Sequence, residues 1–156
     1  MADLLIPFVA GQKDTADAHN IAHDLRREKY QSATQSSANT TFVSSTDLVF
    51  DVEANTAFVF ESQLFVDTNT TADVKFNLLL PASATVRIAD GGGNSTTSTQ
   101  RVYAGVGAGT VISCNPNGFI DIAGTAGTLT IQFAQNATSG STILQVGSWV
   151  RLCRVA

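Results

Sequence analysis

The stretch Phe58-Val59-Phe60-Glu61-Ser62-Gln63-Leu64-Phe65-Val66 decides the fold class. Phe58, Phe60, Leu64 and Val66 fall on one parity, and Val59, Glu61, Gln63 and Phe65 on the other. This two-residue period belongs to a strand with one buried face. The same period returns downstream. Val74, Phe76, Leu78 and Leu80 alternate with Lys75, Asn77 and Leu79, and Leu129, Ile131 and Phe133 alternate with Thr128, Thr130 and Gln132. Between the first two segments lies a polar hairpin connection, residues 67–73. Further strands are expected at 48–52, 85–89, 102–114, 119–123 and 143–155, with Gly, Pro and Asn turn signals between them. No helical pattern separates them, so a parallel βαβ sheet is excluded. The expected body is an all-β, single β-sandwich of about eight antiparallel strands, jelly-roll-like, over residues 41–156.

Upstream the character changes. Residues 1–40 carry nine charged side chains, and the remaining 116 carry thirteen. Leu4, Leu5, Ile6 and Phe8 form a short apolar run broken by Pro7, which reads as an extended arm. Ala18, Ile21, Ala22 and Leu25 then recur at helical spacing. Asp14 or Thr15 can cap this segment, and Arg26, Arg27 and Lys29 suit the negative end of a helix dipole. One short helix is expected at about residues 15–30, followed by a polar linker from Ser32 to Thr41. Residues 1–40 are therefore read as an attachment arm and helix preceding the sandwich.

A chain of 156 residues suffices for one domain with a real core. Nine basic residues and a net charge of −4 argue against a phosphate-tracking surface, so no nucleic-acid partner is expected. No apolar run is long enough for a membrane helix, and no membrane partner is expected. The first residues lack a basic export region, so assembly in a cytoplasm is expected. Cys114 and Cys153 are read as two reduced, mostly buried thiols rather than a disulfide framework.

The sequence offers little for catalysis. His19 and His23 share a helical face at metal-ligand spacing, but the Glu of a zincin motif and a third ligand are missing, so solvated histidines are the better reading. Asp51 and Glu53 share a strand parity, which more often marks a solvated edge than a glycosidase pair. Asp90-Gly91-Gly92-Gly93-Asn94 follows a strand and precedes no helix, so it fails as a phosphate loop, and it has too few carboxylates for calcium. No catalytic residue, cofactor or metal is expected.

Several segments together resemble small virion proteins of tailed bacteriophages, the capsid decoration, head-fibre and minor tail proteins. They are Pro7–Gln12 with Thr15–Asn20, Ala54–Phe60, Leu64–Thr68, Ala72–Phe76, Gly127–Gln135 and Gly147–Leu152. The resemblance implies a sandwich or jelly-roll body, usually oligomeric and often trimeric, with the N-terminal part attached to the virion. The resulting expectation is a capsid decoration (cement) protein, assembled into the virion. It would grip major capsid protein through Leu4, Leu5, Ile6, Phe8, Ile21, Leu25, Arg26 and Arg27. Phe65, Leu79 and Trp149, apolar on strand parities otherwise left to solvent or covered on both faces, are the expected contacts of a homo-oligomer, a trimer above all. The rival is a minor tail or fibre protein, or a carbohydrate- or receptor-binding module. Its aromatic candidates are Tyr30, Tyr103 and Trp149.

Overall fold

A computed structural model of the chain describes residues 26–89, 95–96 and 99–155. Among these residues the strands are, in chain order, β1 (Arg26–Tyr30), β2 (Gln35–Ser37), β3 (Val43–Val52), β4 (Thr56–Asp67), β5 (Val74–Leu79), β6 (Thr85–Ala89) and β7 (Ser95–Thr96). They continue with β8 (Gln100–Tyr103), β9 (Val111–Cys114), β10 (Asn117–Ile122), β11 (Gly127–Gln135), β12 (Thr142–Leu144) and β13 (Trp149–Arg154). One sheet runs β1-β13-β4-β10-β6-β7, with β12, β2 and β9 attached along the far half of β4. The other runs β3-β11-β5-β8. Every pairing is antiparallel.

The strand order is that of a jelly roll. Count β1, β3, β4, β5, β8, β10, β11 and β13 as eight strands in sequence. The first, eighth, third and sixth lie side by side in the large sheet, and the second, seventh, fourth and fifth form the small one. β6 and β7 are an insertion between the fourth and fifth that widens the large sheet.

β4 is the spine. Along one edge it pairs with β10 and then β9, along the other with β13 and then β12. Its inward side chains Phe58, Phe60, Leu64 and Val66 are fully buried against Phe50, Ile120, Leu129, Ile131, Phe133 and Leu152. Where the neighbouring strands hand over, side chains and turns take the backbone groups. The Phe65 amide donates to Ser148 Oγ (2.9 Å), and the Gln145 amide donates to the Phe65 carbonyl (2.8 Å). Inside the sandwich, the Ser62 hydroxyl donates to the Pro116 carbonyl. These bonds offset the desolvation of the groups that make them.

The expected N-terminal helix is corrected. There is no helix among the described residues, and the segment that was to be its last turn is β1, paired with β13 from Arg26↔Cys153 to Tyr30↔Trp149. The cationic cluster that mimics a helix end divides by strand parity instead. Arg26, Glu28 and Tyr30 share the outer face. Arg27 turns the other way, over the Phe58 ring at 5.8 Å, and donates to the Asp51 carbonyl and to Glu53 Oε1 (2.8 Å). Residues 15–25 of the expected helix lie outside the described residues.

The count of about eight strands is also corrected. The expected strand 102–114 is two, β8 and β9, separated by a glycine-rich loop. A Cβ on Gly105 would stand 2.1 Å from the Asn69 carbonyl oxygen, so this loop docks as only glycine allows. The expected strand 143–155 is likewise split into β12 and β13 by the turn at 145–148. The expected linker contains β2, which pairs with β12.

Because Phe60 is buried at the centre of the spine, Phe60→Ala is expected to cost about 3–5 kcal/mol in urea unfolding. Val59→Ala, one residue away on the outer face, is expected to cost well under half of that.

Candidate functional site

Strand parity turns Val59, Glu61, Gln63 and Phe65 of β4 to the outer face of the large sheet. The register across β1, β13, β4, β10 and β6 sorts this face into rows. One row holds Tyr30, Trp149 and Gln63, the next Glu28, Arg151 and Glu61, and a third Arg26, Cys153, Val59, Phe119 and Arg87. Tyr30 (56% exposed), Val59 (38%) and Phe119 (41%) are large apolar side chains left open to solvent here. The face thus carries an aromatic row and an apolar row with a charged row between them.

The charged row is internally paired. Arg151 Nε lies 3.1 Å from Glu28 Oε2, and its Nη1 lies 3.1 Å from Glu61 Oε2. Arg26 adds a 3.2 Å contact to Glu28. The Tyr30 hydroxyl also donates to Glu28. That hydrogen bond, followed by those from Arg151 and Arg26 and opposed by partial desolvation, draws the Glu28 carboxyl down to about 2 from the usual 4.5. The Glu28 carboxylate, through the same hydrogen bonds, pushes the Tyr30 phenol and the Arg151 guanidinium upward. Single ion pairs at this exposure contribute little, about 0–1 kcal/mol. Their effect here is geometric, because Arg151, held from both sides, sits 5.1 Å from the centroid of the Trp149 ring and fixes it.

Beside Trp149 the face is grooved. Val59, Glu61 and Gln63 of β4 form the floor, Trp149 of β13 one wall, and Asn115, Asn117 and Gly118 the other. A hydrogen-bonded chain lines it. Trp149 Nε1 donates to Gln63 Oε1 (3.4 Å), Gln63 Nε2 to Ser113 Oγ (3.3 Å), and Ser113 Oγ to Asn115 Oδ1 (2.8 Å). A Cβ on Gly118 would stand 1.9 Å from the Arg87 carbonyl oxygen, so the glycine lets β10 lie close against β6 at this wall.

The expected site residues divide. Leu4, Leu5, Ile6, Phe8, Ile21 and Leu25, with His19 and His23, lie outside the described residues. Arg26 is exposed on the outer face, whereas Arg27 clasps β1 to the end of β3 through the Asp51 carbonyl and Glu53. Phe65 and Trp149 share the outer face of the large sheet. Leu79 (47% exposed) lies on the outer face of the small sheet, opposite Thr130, so the structure does not bring it to the other two. Cys114 is buried and Cys153 half-buried on opposite faces of the large sheet, both as free thiols. Among the described residues no three His, Cys, Asp or Glu side chains gather as a metal site.

Sequence reading missed Glu28, Glu61, Arg151, Gln63, Asn115 and Asn117. The strand parity of Glu61, Gln63 and Arg151 was legible, but the register that joins them to Glu28, Asn115 and Asn117 was not.

No family model and no curated protein matches this chain. Among solved structures it is similar to murine APRIL crystallised at pH 5.0 (10% identity, TM-score 0.42), with 83% of this chain and 100% of that one covered. It is also similar to infectious bursal disease virus Gx strain (15% identity, TM-score 0.37, 82% and 33% covered). A third is the Clostridium thermocellum endo-1,4-beta-D-xylanase 10B CBM22-1-GH10 modules (14% identity, TM-score 0.34, 80% and 26% covered). The chain therefore spans a third or less of the latter two.

Glu28 supplies a pH test. Its depressed carboxyl contributes stability that is complete above 4.5 and is lost as pH falls towards about 2. The unfolding free energy of the parent should exceed that of Glu28→Gln at neutral pH, and urea titrations should show the gap closing across that acid window. A gap that stays constant through the window contradicts the ion-pair assignment.

Proposed function

We propose that this protein is a structural component of a tailed-bacteriophage virion that acts by binding, without catalysis, and that the outer face of its large sheet recognises a ligand on the host surface. The observation that carries the reading is the composition of this face: exposed Tyr30, Val59 and Phe119 around an ion-paired row that is already satisfied within the chain. Scattered exposed apolar residues need no explanation, whereas Val59 and Phe119, adjacent in register on one face with Tyr30 nearby, suit a partner. The sequence resemblance to phage virion proteins supports the setting.

The purified chain should bind host cell envelopes saturably. A Val59→Lys/Phe119→Lys double variant should keep its melting temperature and lose about tenfold or more of that affinity, as expected for charges set into an apolar contact. Undiminished envelope binding by a folded double variant rules the face out.

One observation favours a second reading, the trimeric capsid cement protein. β1 follows directly on residues 1–25, and the Glu28–Arg151 and Arg27–Glu53 pairs fasten it to the body, so load on the preceding segment passes into the sandwich. This reading expects deletion of residues 2–12 to abolish binding to expanded capsids while leaving envelope binding intact.

A further inference from the structure

We infer that the groove beside Trp149 is a subsite for a neutral glycan, a proposal that rests on the binding role of the outer face and names the ligand class. Three features point to it. The first is shape. The groove crosses from β13 over β4 to the start of β10, two strand spacings or about 10 Å, which accommodates a sugar ring with its hydroxyls.

The second is the pairing of an indole with open hydrogen-bonding groups. Trp149 supplies an aromatic wall for the apolar C–H face of a pyranose. Asn115 accepts from Ser113 through Oδ1, so its amide N–H groups are left to donate. Asn117 donates to the Asn115 carbonyl (3.4 Å) and keeps Oδ1 as an acceptor. Glu61 meets Arg151 through Oε2 and keeps Oε1. Donors and acceptors of both kinds converge on one small space, and vicinal hydroxyls are themselves both donors and acceptors.

The third is charge. Arg151, the cation nearest the indole, is held between Glu28 and Glu61, so its charge is already met by carboxylates. An anionic sugar or a phosphate would meet the Glu61 carboxylate on the groove floor, whose cation, Arg151, is already engaged. A neutral sugar meets no such penalty. The walls also need little ordering on binding. Arg151 fixes the indole, and the Trp149–Gln63–Ser113–Asn115 chain fixes the amides, which lowers the entropic cost of capture.

Trp149 is the only tryptophan in the chain, so intrinsic emission reports on this groove alone. The full chain would be titrated with maltotetraose, cellotetraose, chitotetraose and mannotetraose, and in parallel with sialyllactose and trigalacturonate. A saturable emission change is expected with at least one neutral oligosaccharide and with neither anionic one. Asn115→Ala/Asn117→Ala should weaken that response about tenfold, the loss of one or two hydrogen bonds, with unchanged emission in the free protein. Calorimetry on Trp149→Phe should show a similar loss.

The inference is overturned by silence toward every neutral oligosaccharide, by a preference for the anionic ones, or by full affinity in the double alanine variant. Host-envelope binding separates the levels of failure. If the parent and the groove variants bind envelopes equally, the face stands and the groove assignment falls. If the parent does not bind envelopes yet answers a neutral oligosaccharide through the groove, the groove stands and the host-surface role falls.

Discussion

Everything in this molecule hangs on β4 being paired along both edges, with β10 and β9 on one and β13 and β12 on the other. A twelve-residue strand at the centre of a sheet has no free edge to aggregate through, and its two faces are committed to different tasks. The inward parity, Phe58 to Val66, supplies the large apolar side chains that bring the small sheet down onto it. The outward parity, Val59 to Phe65, supplies the middle of the outer face. A one-residue slip would exchange the two sets, putting Glu61 and Gln63 into the core. The flanking strands therefore hold the register from both sides, and Ser148 and Pro116 complete it where strands change over.

The open side of the sandwich, where β1 and β3 are both edges, is closed by polar rather than apolar contacts. Gln31, almost fully buried, donates its backbone amide to the Ser148 carbonyl (2.8 Å) and its side-chain amide to the Ala33 carbonyl (2.8 Å), and accepts from the Ser45 hydroxyl (2.7 Å). Ser45 in turn accepts from the amides of Asp47 (3.3 Å) and Leu48 (3.0 Å), where β3 bulges and its register with β11 shifts. The Ser32 amide and hydroxyl both donate to Asp47 (2.6 and 2.7 Å), and the amide foremost holds that carboxyl below its usual range. Each buried polar atom of this corner has a partner, so it fixes the approach of β1 at little net cost.

What the sequence reveals follows from what each strand uses for stability. β4, β5 and β11 bury apolar side chains at every second position, and that period is written locally. β1 is different. Arg26-Arg27-Glu28-Lys29-Tyr30 buries little, and its hold comes from backbone pairing and from Arg151, 123 residues away in sequence. Nothing within five residues discloses such a partner, and the helical stripe of Ala18, Ile21, Ala22 and Leu25 just before it invites the wrong reading. The groove was hidden for the same reason. Trp149 stands in the sequence as an oligomer contact or one of three candidate aromatics, yet its setting depends on Gln63, 86 residues away, and on Asn115 and Asn117, which arrive by way of β9 and β10. Composition did hint at such surfaces, since a chain poor in charge and rich in Asn, Gln, Ser and Thr clothes its strands in amides and hydroxyls.

The outer face of the large sheet thus combines fixed ion pairs with exposed aromatic and aliphatic side chains, and it is the surface proposed for recognition. Amide chemical-shift mapping on the labelled full chain, titrated with solubilised host-envelope glycans, addresses that claim most directly. Shifts are expected to concentrate at Tyr30, Val59 to Gln63, Asn115 to Phe119 and Trp149 to Cys153. Shifts confined to the small sheet, around Asn77, Leu79 and Val102, would contradict it.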